Sequence, residues 1–482
     1  MQIKKGDIVE LQIEKYAFEG KGIAKVSKSK LLAINELDEE ANYIVFVNGA
    51  YPGDKVNASL KKIKKSYTEA DIVELISPSS ERTKALCKYF GTCGGCKQQD
   101  LNYQSQIKYK HLQVAEIFEK LGGFSNIHIE PIIPSDNVYH YRNKMEFSFT
   151  EKRWLTPEEI SSDKNIDSVF GLGLHIPKFY EKVLDIDECF LHPEINNAIL
   201  NFTRDFFKSR NTSIYSTKTH RGYLRNLVIK NAFHTDDIMV NLVTSYEDDL
   251  ITEYESELIK VLPQITTVIN NINKKKAAVA TGDYENVLHG PGFIYDTIGK
   301  YKFRISANSF FQTNTLQAEK LYQAALEFAK LNGSEIVYDL YSGAGTIASF
   351  ISDHCKEVYG FESEKSAVND ATDNIQMNRI NNAKCYVTDL YDSFLPFIES
   401  QNIPKPDVII ADPPRSGMHK NTVDDVIKLS PEKIVYVSCN PTTQVRDIKI
   451  MVEAGYKLIK IRPVDMFPHT FHIENVAILT NL

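Results

Sequence analysis

From residue 307 to the C-terminus, apolar strand-like runs alternate with helix-compatible stretches, and this alternation constrains the fold more than any other feature of the chain. A helical region from Ala318 to Ala329 precedes Ile336-Val337-Tyr338-Asp339-Leu340. Further runs follow at Val358 to Glu362, Cys385 to Thr388, Pro406 to Ala411 and Lys433 to Ser438. Such a pattern predicts an α/β, doubly wound parallel sheet with helices on both faces. Ligands of sheets of this kind bind beyond the carboxyl ends of the strands.

The rest of the chain reads differently. Asp7 to Glu14, Ala41 to Val47 and Tyr67 to Leu75 are short strand patterns, with a turn at Tyr51-Pro52-Gly53-Asp54. They predict an OB-like β-barrel over residues 1–78. Lys61-Lys62-Ile63-Lys64-Lys65 gives this segment local positive charge, suited either to phosphate contact or to a solvated hairpin tip. Pro78-Ser79-Ser80 marks a boundary. Residues 104–121 predict a helix with Ile107, Val114, Phe118 and Leu121 on one stripe and Gly122-Gly123 as its cap. Strands dominate from 131 to 306, as in Lys144 to Phe149 and Asp237 to Val243, which predicts a strand-rich α+β centre. The expected boundaries are 1–78 for the barrel, 79–99 with 130–306 for the central domain, and 100–129 with 307–482 for the doubly wound domain.

Of the 482 residues, 43% are hydrophobic and 25% charged, which excludes disorder as the dominant state. No uncharged apolar run approaches the ~20 residues of a membrane span, and Met1 to Asp7 contains no apolar signal core. A cytoplasmic protein is expected. The formal charge of −7 argues against a uniformly basic surface but leaves room for local basic patches.

Val337 to Leu340 runs into Tyr341-Ser342-Gly343-Ala344-Gly345-Thr346, a strand ending in a glycine-rich turn before a helix. The full dinucleotide fingerprint is missing. About twenty residues on, a second strand ends in Glu362, whose carboxylate can accept both hydroxyls of a ribose. This arrangement resembles the S-adenosylmethionine site of class I methyltransferases. A third candidate strand leads to Asp389.

The strand Pro406 to Ala411 ends in Asp412-Pro413-Pro414-Arg415, where two prolines stiffen the loop and fix the Asp412 carboxylate at the rim of the sheet. The next strand delivers Cys439 just before Asn440-Pro441. Near the C-terminus, Phe467-Pro468-His469-Thr470-Phe471-His472-Ile473-Glu474 leads into an apolar strand. A carboxylate at that entry can be partly desolvated, which suits proton abstraction, although taken by itself the position reads more readily as a surface carboxylate. Cys355 and Cys385 lack any such context and read as small core hydrophobes.

Taken in order, these segments resemble the RNA uracil-C5 methyltransferase family, and the resemblance covers essentially the whole chain, with the barrel segment similar to that family's TRAM domain. It implies Cys439 as nucleophile and Glu474 as base, and places Gln312, Tyr341, Glu362, Asp389 and Asp412 around S-adenosylmethionine. The chemistry needs such parts: C5 of uracil is a poor nucleophile until a thiolate adds at C6. A base must then remove the C5 proton so that the thiolate can leave. Arg446 and His469 are the candidate cations for populating the thiolate. Ser342 stands where the family often has cysteine, and Thr346 where it often has asparagine.

Seven cysteines in this length do not make a disulfide scaffold. Cys87, Cys93 and Cys96 fall within ten residues among glycines, and Cys189 follows in Asp187 to Pro193. Four thiolates suit zinc or an iron–sulfur cluster, and spacing leaves both open. The family resemblance, to its cluster-containing ribosomal RNA members, implies [4Fe–4S] on these four residues. The cysteine spacing of radical S-adenosylmethionine enzymes is absent.

Tyr139-His140-Tyr141-Arg142-Asn143-Lys144 and His220-Arg221-Gly222-Tyr223-Leu224-Arg225-Asn226 interleave aromatics with cations, a pattern that suits either stacking on unpaired bases with phosphate contact or an ordinary amphipathic strand edge. The expected activity is methylation of uracil C5 in 23S ribosomal RNA. A transfer RNA uracil methyltransferase, or a non-catalytic RNA-binding ribosome-assembly factor, stands as the alternative. RNA is the expected partner, with no DNA and no membrane, and the chain is expected to act as a monomer.

Overall fold

The computed structural model describes residues 4–27, 42–162, 169–177, 179–277 and 279–481. Ala41, at the head of one predicted strand, and Met1 to Ile3 lie outside these ranges.

Six strands form the N-terminal sheet, in the spatial order Ile8–Gln12, Lys55–Ile63, Tyr67–Ser77, Asn42–Asn48, Lys21–Ser27 and Lys15–Ala17. The sheet curls on itself. Leu11 and Ile13, at one edge, share a core with Ala24 from near the other edge, and the Glu14 N–H donates to the Ile23 carbonyl at 2.8 Å. In the middle of the chain an eight-stranded sheet has Leu224–Asn231 and Ile238–Thr244 at its heart, the latter buried at every position. Helices Ile195–Ser209 and Leu250–Val261 place Phe206, Phe207, Tyr254 and Leu258 in one core with Phe147, Leu227 and Val240.

The C-terminal sheet carries the site. In chain order its strands are β1 (His128–Ile129), β2 (Ile336–Leu340), β3 (Glu357–Glu362), β4 (Ala383–Val387), β5 (Val408–Ala411), β6 (Lys433–Ser438), β7 (Tyr456–Val464) and β8 (Glu474–Asn481). Their spatial order is β4-β3-β2-β5-β6-β8-β7-β1. Strands β2 to β6 run parallel with helical crossovers, as the alternating pattern predicts, and β8 inserts antiparallel between β6 and β7. Among the described residues no helix is long and apolar enough to cross a membrane.

Helix α1 (Tyr103–Lys120) packs Val114, Ile117 and Phe118 into the core of this sheet. The sequence stripe misjudges its face. Leu121 is exposed, whereas Gln106, Lys110 and Gln113 are buried. Their partners lie on distant segments, which periodicity cannot register: Gln113 donates to the Ala17 carbonyl at 2.8 Å, and Tyr109 joins Tyr16 and Tyr51 where the curled sheet docks.

Candidate active site

Two neighbouring strand ends bring the reactive groups together. In the antiparallel pairing of β6 with β8, Ser438 faces Asn475. Continuing that register by one residue sets Cys439 beside Glu474, since residues on paired strands advance in opposite directions. Glu474 is buried and Cys439 half-buried. Asp412 leaves β5, the other neighbour of β6, and its loop carries Arg415.

Asp412 and Arg415 act electrostatically on both Glu474 and Cys439. Burial, then the charge of Asp412, holds the Glu474 carboxyl well above the usual carboxylate range, with Arg415 opposing. The Cys439 thiol is pushed up to about 12 by burial and by the charges of Glu474 and Asp412, while Arg415 beside it pulls the other way. Burial alone lifts Asp412 to about 7. Helix α2 (Pro441–Glu453) starts two residues after the thiol, so its positive end also favours a thiolate there. Asn440 caps that helix by accepting from the Thr442 N–H at 3.1 Å. Its amide also donates to the Arg415 carbonyl at 3.1 Å, tying the Asp412 loop to the cysteine turn.

Arg415 is therefore the cation at the thiol, a correction to the expectation of Arg446 or His469. The Arg446 guanidinium bonds instead to Asp447 at 2.8 Å and to the Met418 carbonyl at 3.1 Å. His469 is buried, and burial with the nearby Lys110 charge depresses it to about 4, leaving its ring neutral. The Asp-Pro-Pro-Arg string contained this cation, but only the pairing of strands reveals that the arginine turns toward the next strand's cysteine.

The expected cofactor residues fall in two groups. Tyr341 and Asp389 line a cavity of about 620 Å³ at the ends of β2 and β4, together with Ser363, Leu390, Pro414 and His419. Gln312, Glu362 and Asp412 do not line it. The Glu362 carboxylate accepts from the N–H groups of Gly343 at 3.0 Å and Ser363 at 2.7 Å, so it braces the glycine turn. At Gly345, φ is +73° and an added Cβ would sit 3.0 Å from that of Ala371, so the turn requires glycine there. The buried Tyr322 hydroxyl links Gln312 to this turn. It bonds Thr346 at 3.0 Å and Gln312, and its acidity is weakened by burial and by Asp412 and Asp339. Rim carboxylates around an open cavity at the strand ends of a doubly wound sheet suit a nucleoside-bearing cofactor.

A family model described as tRNA (Uracil-5-)-methyltransferase matches residues 266–482, and one for the TRAM domain matches residues 2–73. An uncharacterized RNA methyltransferase of Chlorobaculum tepidum is 40% identical over 480 residues, which span 99% of this chain and 97% of that protein. The chain belongs to the tRNA (uracil-5-)-methyltransferase family. It is an S-adenosylmethionine-dependent RNA methyltransferase. An uncharacterized RNA methyltransferase of Bacteroides thetaiotaomicron is 39% identical, covering 96% of this chain and 99% of its own. Among solved structures, the Pyrococcus abyssi tRNA (uracil-54, C5)-methyltransferase in complex with S-adenosyl-L-homocysteine matches with a TM-score of 0.73 and 27% identity. That match covers 98% of this chain and 99% of that one.

In this methyltransferase Cys87, Cys93, Cys96 and Cys189 line one cavity of about 430 Å³. Among the described residues no three or more His, Cys, Asp or Glu side chains are drawn together closely enough to hold a metal ion. The donor set nevertheless fits a thiolate-ligated group. The Gln99 amide donates to Cys96 Sγ at 3.1 Å and the Gly95 N–H to Cys93 Sγ at 3.4 Å, bonds that favour the charged sulfur. Cys96 and Cys189 are both pushed up to about 12, first by burial and then by neighbouring thiols, so a cation in this cavity would relieve the clustered charge.

The expected aromatic RNA contacts need correction. Tyr141, Tyr223 and Arg225 are buried, and Arg225 spends its donors on the carbonyls of Asn273 at 2.9 Å and Lys275 at 2.8 Å. Those three side chains serve core packing, whereas His140, His220 and Arg221 of the same strings remain exposed. Tyr139 stays half-buried, its ring 4.4 Å from that of His469.

Proposed function

We propose that this enzyme methylates C5 of a uracil in 23S ribosomal RNA, with Cys439 as nucleophile and Glu474 as base. The observation that carries this reading is the placement of the Cys439 thiol beside the buried Glu474 carboxyl, with Asp412 and Arg415 at the same strand ends.

Cys439 reacts as its thiolate, which the Arg415 charge and the helix end favour. Its sulfur adds to C6 of the ring, and the displaced electron pair makes C5 an enolate carbon. S-adenosylmethionine, which Gln312, Tyr341, Glu362, Asp389 and Asp412 would hold, would supply the electrophilic methyl group that C5 accepts, its S–CH3 bond breaking to leave S-adenosylhomocysteine. Glu474 then takes the C5 proton, the enolate re-forms, and the C6–S bond breaks to return the thiolate. A base kept above the usual carboxylate range holds that proton better than an exposed glutamate would. Because a stacked uracil cannot reach Cys439, the target is flipped out or already unpaired.

Cys87, Cys93, Cys96 and Cys189 hold a [4Fe–4S] cluster in this reading, which would tie the 87–96 loop to the central sheet; zinc is the lesser alternative. Anaerobically purified protein is expected to show a broad visible absorption that reductant bleaches, with about four irons per chain. A colourless protein carrying zinc instead would overturn the cluster.

The resemblance to cluster-containing ribosomal RNA enzymes supports 23S RNA as substrate. The full-length similarity to a tRNA (uracil-54, C5)-methyltransferase favours a second reading, tRNA. Incubation with methyl-labelled cofactor and each RNA, followed by digestion to nucleosides, separates the two. Label in 5-methyluridine from 23S RNA is expected. Label from tRNA alone would establish the second reading, and no labelled 5-methyluridine from either RNA would contradict both.

A further inference from the structure

The segment 465–473 joins β7 to β8 and ends at Glu474. Most of its anchors come from outside the sheet. Gln106 of helix α1, fully buried, accepts from the His469 N–H at 2.8 Å through its side-chain oxygen. Its side-chain nitrogen lies 3.2 Å from His469 Nδ1, 2.8 Å from the Leu101 carbonyl and 3.0 Å from the Gln98 carbonyl. One turn along the helix, Lys110 Nζ meets Asp465 at 2.6 Å and the Phe467 carbonyl at 3.1 Å, and both charged side chains are buried. Tyr103 donates to the other Asp465 oxygen at 2.9 Å.

The cysteine loop grips the same point from the opposite side. The N–H groups of Lys97 and Gln98 donate to the His469 carbonyl at 2.8 and 3.0 Å. Tyr141 donates to the Pro468 carbonyl at 3.0 Å, and Asn314, two residues from Gln312, donates to the Met466 carbonyl at 2.9 Å. His469 is held at φ +64°, a left-handed conformation uncommon for residues other than glycine.

Gln106 and Lys110 are buried to 0% and 1% exposure, and an unmatched amide or ammonium at such depth is costly, so these side chains are there to make specific bonds. Both partners of Lys110 belong to the strap that delivers Glu474, and Gln106 joins that strap at His469 to the Gln98 and Leu101 carbonyls. We infer that Gln106 and Lys110 are positioning residues, which pin this strap against helix α1 and so set the Glu474 carboxylate at the reaction centre. The inference rests on the reading that Glu474 takes the C5 proton. Glu474 acts after Cys439 has bonded to the RNA, so loosening the strap slows resolution of the adduct more than its formation. Loss of fold would lower both together.

Gln106→Met keeps the volume and removes the bonds to His469. It is expected to bind cofactor as the parent does and to lower turnover by about tenfold to a hundredfold, the scale of a small misplacement of a catalytic group. The fraction of enzyme bound covalently to RNA on a denaturing gel should rise at the same time. Tyr103→Phe, which leaves Gln106 and Lys110 in place but loses the bond to Asp465 and the one accepted from the Ser135 N–H at 2.7 Å, should shift the adduct fraction in the same direction by less, and it carries the test if Gln106→Met does not fold. An adduct fraction that stays constant, or falls in step with turnover, in the variant that folds would overturn the inference. The control is Glu474→Gln: if it too accumulates no adduct, the reading of Glu474 fails, whereas accumulation in that variant alone sinks only the positioning role.

Discussion

Cys439→Ala is expected to abolish methyl transfer, lowering turnover by a factor on the order of 10⁴ or more, the scale seen when a covalent nucleophile is removed. Cofactor binding should persist, because the cavity of about 620 Å³ lined by Tyr341 and Asp389 does not include Cys439. Equilibrium binding of S-adenosyl-homocysteine and single-turnover methylation of RNA measure the two properties separately. The pH dependence follows from the same group. With the thiol pushed up to about 12, the reactive thiolate is the minor form near neutrality, so adduct formation should accelerate as pH rises. Arg415 opposes that shift, so Arg415→Met is expected to move the acceleration to higher pH and to slow the reaction at neutrality. Unchanged turnover in Cys439→Ala would remove covalent catalysis from the account.

Glu474→Gln is expected to stall the reaction after methyl transfer. The amide cannot take the C5 proton, and removing a general base costs about 10²–10⁴-fold. Elimination of Cys439 from C6 depends on loss of that proton, so enzyme and RNA should remain joined through denaturation. Glutamine suits the site sterically, and a neutral side chain also removes one of the charges that raise the Cys439 thiol. Formation of the adduct should therefore survive while its breakdown fails. A denaturing gel with radiolabelled RNA reads this directly as a slowly migrating band. Absence of that band alongside full turnover would mean that another group removes the proton.

The strands that carry Tyr341, Glu362, Asp412 and Cys439 were legible because each is a largely apolar run closed by a polar or glycine-rich turn. A run of that kind is the signature of a strand buried on both faces. The pairing of Cys439 with Glu474 was legible only as chemistry. Its geometry depends on β8 inserting antiparallel between β6 and β7, and no local pattern announces that neighbour. Arg415 stood in plain view within Asp412 to Arg415, yet the candidate cations were Arg446, which turns away to Asp447, and His469, which is buried and neutral. Helix α1 was found but its buried face was misjudged. Apolar periodicity cannot flag Gln106 or Lys110, whose partners lie 363 and 355 residues away. Tyr141 and Tyr223 show the converse error, since aromatic residues near cations look like an RNA platform until burial is known.

The most direct test of the central claim, a transient bond between the Cys439 sulfur and a uracil ring, is to map the linkage in the Glu474→Gln enzyme. The denatured complex is digested with nuclease and protease, and the nucleotide-bearing peptide is sequenced by tandem mass spectrometry. The expected result is a methylated uridine nucleotide attached to Cys439. Attachment at any other residue, or a stalled complex with no covalent nucleotide, would contradict the account.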